Sequence, residues 1–131
     1  MFVDASAIVA IVAPEDDGSI FAARLDRIER IQTSPVAIYE AVLAVARRRE
    51  INLAEAEEAI SIFIASCGAE IIPITAEISH EAIRAFQRFG RGRHAAQLNM
   101  GDCFAYACAR SLGVPLLYKG DDFAQTDIAA G

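Results

Sequence analysis

Acidic residues in apolar surroundings are the side chains of this sequence most suited to chemistry. Asp4 lies near the start of MFVDASAIVAIVA, a run that is otherwise almost entirely apolar. An isolated carboxylate is costly to remove from water unless another group pairs with it or coordinates it. No neighbour in the sequence can pair with Asp4. We therefore expect either that this segment is exposed or that Asp4 has a partner from a distant part of the chain.

A second acid, Glu40, falls where a helical pattern would normally place an apolar residue. The spacing i, i+3, i+4, i+7 predicts a core-facing stripe formed by Val36, Tyr39, Glu40 and Leu43. This pattern predicts that Glu40 points inwards and shares a site with Asp4. The alternative is that its carboxylate reaches past its neighbours to solvent.

Three further acids occur in connections between predicted elements. Asp102 opens a predicted helix, and Asp121 and Asp122 follow the short apolar segment LLY. Ligands of parallel sheets bind beyond the carboxyl ends of the strands, which is where such connections lie. The local alternative for Asp102 is an interaction with the positive end of its own helix. For Asp121 or Asp122 the alternative is the N-cap of a last helix.

Carboxylates that share one cleft repel one another and raise one another's pKa unless a cation lies among them. Oxygen ligands without a His or Cys cluster favour Mg²⁺ or Mn²⁺ over zinc. The sequence has two distant histidines, His80 and His94, and its three cysteines form no C-x-x-C pair. The acids therefore indicate metal-assisted hydrolysis of a phosphodiester.

Short apolar segments alternate with helical patterns along the chain. Strands are predicted at residues 2–4, 31–33, 70–74 and 116–118. Helices are predicted at residues 5–13, 19–31, 35–49, 52–66, 75–89 and 100–112, with a turn at 14–18 and a short helix after 122. This order is typical of an α/β fold in which helices cover both faces of a parallel sheet.

Length and composition place the chain among globular proteins. With 131 residues, of which 54% are hydrophobic and 23% charged, we expect one domain spanning residues 1–131. No apolar run approaches the roughly 20 residues that cross a bilayer, and the N-terminus lacks a basic region, so we expect a cytoplasmic protein without a membrane anchor. A net charge of −6 argues against non-specific coating of nucleic acid but does not exclude a nuclease.

Four segments in this order resemble the PIN-domain toxins of the VapC family: VDASAIVA, SPVAIYEA, LNMGDCFAYACAR and LLYKGDDFAQTDI. The resemblance extends from residue 2 to about residue 128 and includes the phrase GRGRHAAQLNMGDCFAYA. It implies a three-layer αβα sandwich with a short central parallel sheet and a Mg²⁺- or Mn²⁺-dependent endoribonuclease activity. It also implies an RNA substrate, a cognate VapB-type antitoxin and a homodimer that forms a higher assembly with the antitoxin.

The resemblance carries three acids over directly as the catalytic site. These are Asp4, Glu40 and Asp102, with Asp4 and Asp102 as the metal ligands and Glu40 as a further candidate ligand. Ser6 matches the small hydroxyl residue that supports the first aspartate of the family.

The fourth acid depends on how the segment GDDF is matched. Many relatives carry an aspartate three residues before the phenylalanine, and that position is Gly120 here. Asp122, directly before the phenylalanine, matches another form of the motif and is the expected fourth catalytic acid and candidate ligand. Asp121 stays open as its alternative.

RNA requires positive charge at the rim of such a cleft. The candidate RNA contacts are Arg91, Arg93 and His94 in the loop before Asp102, together with Lys119. The run at residues 47–49 is a further candidate for contacting RNA or the antitoxin, and its alternative is a solvated helix end.

Three rival functions are open at this point. A phosphatase resembling the haloacid dehalogenases would need an aspartate two residues after Asp4, where this chain has Ser6. A metal-free ribonuclease would need His80 and His94 as acid and base. A non-catalytic protein that only binds an antitoxin or RNA is the third.

Overall fold

The architecture is a small parallel sheet with helices on both faces. A computed structural model describes residues 1–13 and 17–131, so the turn predicted at 14–18 lies mostly outside the described residues. The strands are β1 (Phe2–Val3), β2 (Gln32–Thr33), β3 (Glu70–Ile71) and β4 (Leu116–Leu117). The helices are α1 (Ala5–Val12), α2 (Gly18–Leu25), α3 (Pro35–Arg49), α4 (Leu53–Cys67), α5 (Ala76–Phe89) and α6 (Met100–Leu112), followed by a 3₁₀ turn at Phe123–Gln125.

The four strands form one sheet in the order β3-β2-β1-β4, and every pairing is parallel. Phe2 of β1 lies opposite Gln32 on one side and Leu116 on the other. The chain therefore leaves β1 in the interior of the sheet, at its carboxyl edge. Asp4 is the next residue, so the sheet itself brings this carboxylate to the edge where parallel sheets bind ligands.

Each face of the sheet has its own apolar core. Successive side chains of a strand point to opposite faces, so Phe2 packs with α5 and α6 while Val3 packs with α1 to α4. Leu116 and Leu117 of β4 divide between the two cores in the same way. This division confirms the predicted three-layer αβα arrangement.

Three helices begin at the capping residues that the sequence predicts. The side chains of Ser34, Asn52 and Thr75 each accept a hydrogen bond from the backbone N–H three residues on. These bonds satisfy amides that have no partner within the helix. Pro35 occupies the first turn of α3, where its missing N–H does no harm.

Several predicted elements are one residue shorter in the structure, and two of them end well before their predicted last residue. The second helix ends at Leu25 instead of residue 31, and the backbone at its predicted end is used by the sheet: the N–H of Gln32 donates to the carbonyl of Met1, and the carbonyl of Ile31 accepts from Glu70. The strand predicted at 70–74 ends at Ile71, two residues before Pro73, which has no N–H to donate to a sheet.

The helices are too short or too polar to cross a bilayer. Within residues 1–13 and 17–131, no helix combines the length and the hydropathy that a membrane span needs, and the longest have 15 residues.

Candidate active site

Asp4 connects the central strand to the first helix. It is the N-cap of α1, and only 4% of its surface is exposed. Its Oδ2 accepts hydrogen bonds from the backbone N–H of Ser6 at 3.0 Å and from the Ser6 hydroxyl at 2.6 Å. Burial raises the pKa of Asp4, although the bonds from Ser6 favour the charged form and oppose this effect.

The Ser6 hydroxyl joins Asp4 to the segment that follows β4. It donates to Asp4 and accepts from the backbone N–H of Lys119 at 2.9 Å. Both its proton and a lone pair are therefore engaged, which fixes the orientation of the hydroxyl and of the carboxylate that it contacts. Ser6 has the geometry expected of a supporting residue.

Asp102 lies in the first turn of α6, where it forms a reciprocal cap with Asn99. The Asn99 side chain accepts from the Asp102 N–H at 2.9 Å, and Asp102 Oδ2 accepts from the Asn99 N–H at 3.1 Å. Burial raises the pKa of Asp102 to about 6, with further increases from the charges of Asp4 and Asp122 and a decrease from Arg91. Asp102 thus caps its helix and also lies within electrostatic reach of the other acids.

The core-facing stripe predicted for α3 is wrong. Tyr39 is 64% exposed and Leu43 38% exposed, while the buried face consists of Ala37, Ala41 and Val45. The small side chains on this face let α3 approach its neighbours closely. The face with the smaller side chains is therefore the buried one, and the larger side chains of Tyr39 and Leu43 remain exposed. Glu40 lies beside this buried face and is half-buried.

The carboxylate of Glu40 nevertheless meets the other acids. It packs against Gly101, directly before Asp102 on α6. Burial raises the pKa of Glu40 to about 7, and the charges of Asp4 and Asp102 add to the increase. The carboxylates of Asp4, before α1, of Glu40 on α3 and of Asp102 on α6 therefore act on one another, although nearly forty residues or more separate them in sequence.

The structure distinguishes the two aspartates after β4. The charge of Asp122 raises the pKa of both Asp4 and Asp102, whereas no such influence of Asp121 is found among the described residues. Asp122 precedes the 3₁₀ turn at Phe123–Gln125 but makes no side-chain cap there. Of the two, Asp122 is the one whose charge acts on the cluster.

The chemistry of the donor set fits a hard divalent cation. Carboxylate oxygens are the ligands that Mg²⁺ and Mn²⁺ prefer, and a bound cation would relieve the repulsion that raises these pKa values. In the part of the chain that the structure describes, however, no three His, Cys, Asp or Glu side chains lie close enough together to hold a metal ion. The arrangement is an acidic cluster with the correct ligand types, not a formed metal centre.

A cleft of about 530 Å³ opens beside Glu40. Glu40, Arg47 and Arg48 lie on the same face of α3 because seven and eight residues correspond to about two helical turns. Lys119 lines the same cleft, and its Nζ forms an ion pair with Asp17 Oδ1 at 3.0 Å. Of the run at residues 47–49, Arg47 and Arg48 line this cleft, and their spacing from Glu40 is the sequence signal for that placement.

The predicted contacts from the loop before α6 divide into two groups. The charge of Arg91 acts on Asp102. Arg93 lies over the ring of Phe86, 5.5 Å from its centroid, and His94 meets the Phe89 ring edge-on at 5.1 Å. Arg93 and His94 are thus held against α5, and of these three predicted contacts Arg91 is the one whose charge acts on an acid of the cluster.

The whole chain matches one family. The sequence profile of the PIN domain family covers residues 1–129. A VapC ribonuclease of Rhizobium meliloti is 39% identical, over 97% of this chain and 98% of the relative. Ribonuclease VapC30 of Mycobacterium tuberculosis is 34% identical, over 98% and 96% of the two chains.

The chain belongs to the VapC ribonucleases of the PIN-domain family. Solved structures share the fold. VapC20 of Mycobacterium tuberculosis, described as a toxin that cleaves the sarcin–ricin loop, superposes with a TM-score of 0.81 at 18% identity, over 99% of this chain and 97% of that chain. A toxin–antitoxin complex from Klebsiella pneumoniae gives a TM-score of 0.73 at 14% identity, over 99% and 95%.

Proposed function

We propose that this protein is a Mg²⁺- or Mn²⁺-dependent endoribonuclease, the toxin of a toxin–antitoxin pair. The observation that carries the proposal is the meeting of Asp4, Glu40 and Asp102 at the carboxyl edge of the sheet. Each is wholly or partly buried with a raised pKa, in a chain whose relatives are named ribonucleases. Acids that serve only stability are normally paired with cations or exposed.

The catalytic acids are Asp4, Glu40, Asp102 and Asp122. Asp4 and Asp102 would hold the cation, which when bound would supply positive charge for activating water and stabilising the phosphate. Ser6 fixes the orientation of Asp4 through its two hydrogen bonds. Glu40, beside the cleft, orients the attacking water, and Asp122 adds negative charge that acts on Asp4 and Asp102.

The substrate is RNA that lies along the cleft beside Glu40. Arg47 is about 10 Å from Glu40 along the axis of α3, given a rise of 1.5 Å per residue. That distance suits a phosphate one or two nucleotides from the cleaved bond. Arg48, Lys119 and Arg91 add positive charge on either side of the acids, which an acidic protein needs in order to hold an RNA backbone.

The partners are a VapB-type antitoxin and a second copy of the chain, in the cytoplasm. Large apolar side chains are exposed on several helices, and such surface commonly marks protein contacts. They are Ile20, Tyr39, Leu43, Leu53, Ile62, Ile83, Phe86 and Met100. The match to a chain solved in a toxin–antitoxin complex supports this assignment.

Cleavage of RNA by the purified protein with Mg²⁺ or Mn²⁺ tests the enzymatic part. Asp4→Asn and Asp102→Asn should each reduce the rate by at least about 100-fold, the order expected for removing one stabilising group from a transition state. Asp127→Asn, away from the cluster, should cleave like the wild type.

The product and the effect of a chelator separate the rival mechanisms. The proposed reaction leaves a 5′-phosphate and stops with EDTA, whereas catalysis by two histidines would leave a 2′,3′-cyclic phosphate and survive the chelator. Unchanged cleavage by both aspartate variants would overturn the assignment.

Toxicity is tested by expression in a bacterial host, where the small open reading frame adjacent to this gene should relieve growth arrest. If co-expression of that reading frame does not relieve growth arrest, the proposal of a cognate antitoxin is wrong.

A further inference from the structure

Gly101 is a glycine at a place where the backbone does not require one. It is the second residue of α6, its conformation is helical, and it is buried. Glycine within a helix is less favourable than alanine because it loses more backbone freedom on folding. Some interaction other than backbone geometry must therefore favour glycine here.

The space next to Gly101 is filled by the carboxyl group of Glu40. A methyl group built on Gly101 would approach Cδ, Oε1 and Oε2 of Glu40 to within less than 3.0 Å. Among the glycines of the described residues, this is the only one whose added Cβ would meet an acidic side chain. The Glu40 atoms that the methyl group would overlap are at the far end of a flexible side chain. The carboxylate, and not the backbone of α6, would therefore have to move.

We propose that Gly101 is a positioning residue for Glu40. Because it has no side chain, the Glu40 carboxylate can lie against the first turn of α6, beside Asp102 and within electrostatic reach of Asp4. The first turn of a helix carries partial positive charge, which favours a carboxylate at this position. The activity part of this inference rests on the proposed function, whereas the contact between residues 40 and 101 does not.

A double-mutant cycle on residues 101 and 40 tests the proposal through cleavage. Gly101→Ala should reduce cleavage by up to about 100-fold, the effect of misplacing a reacting group by about 1 Å. Glu40→Ala should have an effect of the same order. The double variant should be no slower than Glu40→Ala alone, because the residue that Gly101 positions is already absent. Wild-type cleavage by Gly101→Ala, or losses that multiply in the double variant, would overturn the proposal.

Thermal unfolding of the metal-free proteins tests the contact independently of activity. In the Glu40→Ala background, Gly101→Ala should raise Tm by about 3 °C, since alanine favours the helix and nothing obstructs it. In the wild-type background the rise should be smaller or reversed, because the carboxylate must leave its place. Equal shifts in the two backgrounds would refute a contact between residues 40 and 101.

Ser111→Ala is the matched control, an exposed change to alanine near the other end of α6. Its effect on Tm should be the same in both backgrounds. If Gly101→Ala alone does not fold but the double variant does, the coupling is supported. If neither folds, the glycine is required by the backbone and the proposal is wrong. If the wild type does not cleave RNA, the proposed function fails while the thermal cycle still decides the contact.

Discussion

Two regions of this molecule hold carboxylates in contrasting ways. Asp127, after the 3₁₀ turn, accepts a hydrogen bond from the Tyr106 hydroxyl at 2.5 Å and pairs with Arg88 at 3.3 Å and Arg110 at 3.9 Å. The hydrogen bond from Tyr106, followed by the two arginines, lowers the pKa of Asp127. This carboxylate is stabilised in its charged form and ties the C-terminal segment to α5 and α6.

The acidic cluster at the carboxyl edge of the sheet shows the opposite arrangement. Burial raises the pKa of Asp4, Glu40 and Asp102, and the neighbouring charges are largely those of other acids. The charge that acts on Asp4 is that of Asp122, and the charges that act on Glu40 are those of Asp4 and Asp102. The comparison shows that the fold tolerates charge repulsion at one place, which is the pattern expected of a functional site and not of a stabilising one.

Binding of a divalent cation should give the largest change in stability. Mg²⁺ at a hundredfold excess over its Kd should stabilise the wild type by about 2.7 kcal/mol. Thermal unfolding with and without Mg²⁺ should show this increase in the wild type and in Asp127→Asn, but not in a protein carrying both Asp4→Asn and Asp102→Asn. An equal increase in the double variant would mean that the cation binds elsewhere.

The pH dependence of stability should have opposite signs in the two regions. With pKa values of about 7 and 6, Glu40 and Asp102 bind protons in the folded state at a pH where the unfolded chain, with carboxyl pKa values of about 4, is still ionised. Their contribution to the free energy of unfolding therefore increases as the pH falls from about 8 to about 5. The contribution of Asp127, whose pKa is lowered, is present above about pH 4 and is lost as the pH falls further.

Glu40→Gln tests the pH prediction in the metal-free protein. The variant should have a higher Tm than the wild type at pH 8, and the difference should shrink towards pH 5. The Tm values at pH 5, 6, 7 and 8 measure this directly. A difference that stays constant with pH would show that the charge of Glu40 is not destabilising.

The smallest effect is expected at the other region. Asp127→Asn replaces charge-assisted hydrogen bonds and partly exposed ion pairs with weaker neutral bonds, which should reduce the free energy of unfolding by about 1 kcal/mol. Urea denaturation measures the change, and Tyr106→Phe should account for part of it. A loss of RNA cleavage in Asp127→Asn would contradict the separation of the two regions.

The sequence by itself determined the order of the elements, the helix starts and the anomaly of Asp4. Helix caps depend on residues three apart, and strand and helix patterns depend on local periodicity, so the starts at Ser34, Asn52 and Thr75 could be read directly. A buried acid without a local partner is a physical conflict that any fold must resolve. Pairing it with Glu40 and Asp102 also relied on the resemblance to a known family.

Only the tertiary structure decided how the cluster is built. The helical pattern predicts Glu40 on a stripe whose large side chains are exposed in the structure, because the alanines of α3 pack closely against its neighbours instead. The charge of Asp122 acts on the cluster while Asp121 shows no such influence, and this depends on how the segment after β4 lies against the sheet. The role of Gly101 depends on the packing of α6 beside α3. The space beside this glycine matters only because the Glu40 carboxylate, about sixty residues earlier in the sequence, fills it. Such contacts join segments that are distant in sequence, and local patterns carry no information about the distance between them.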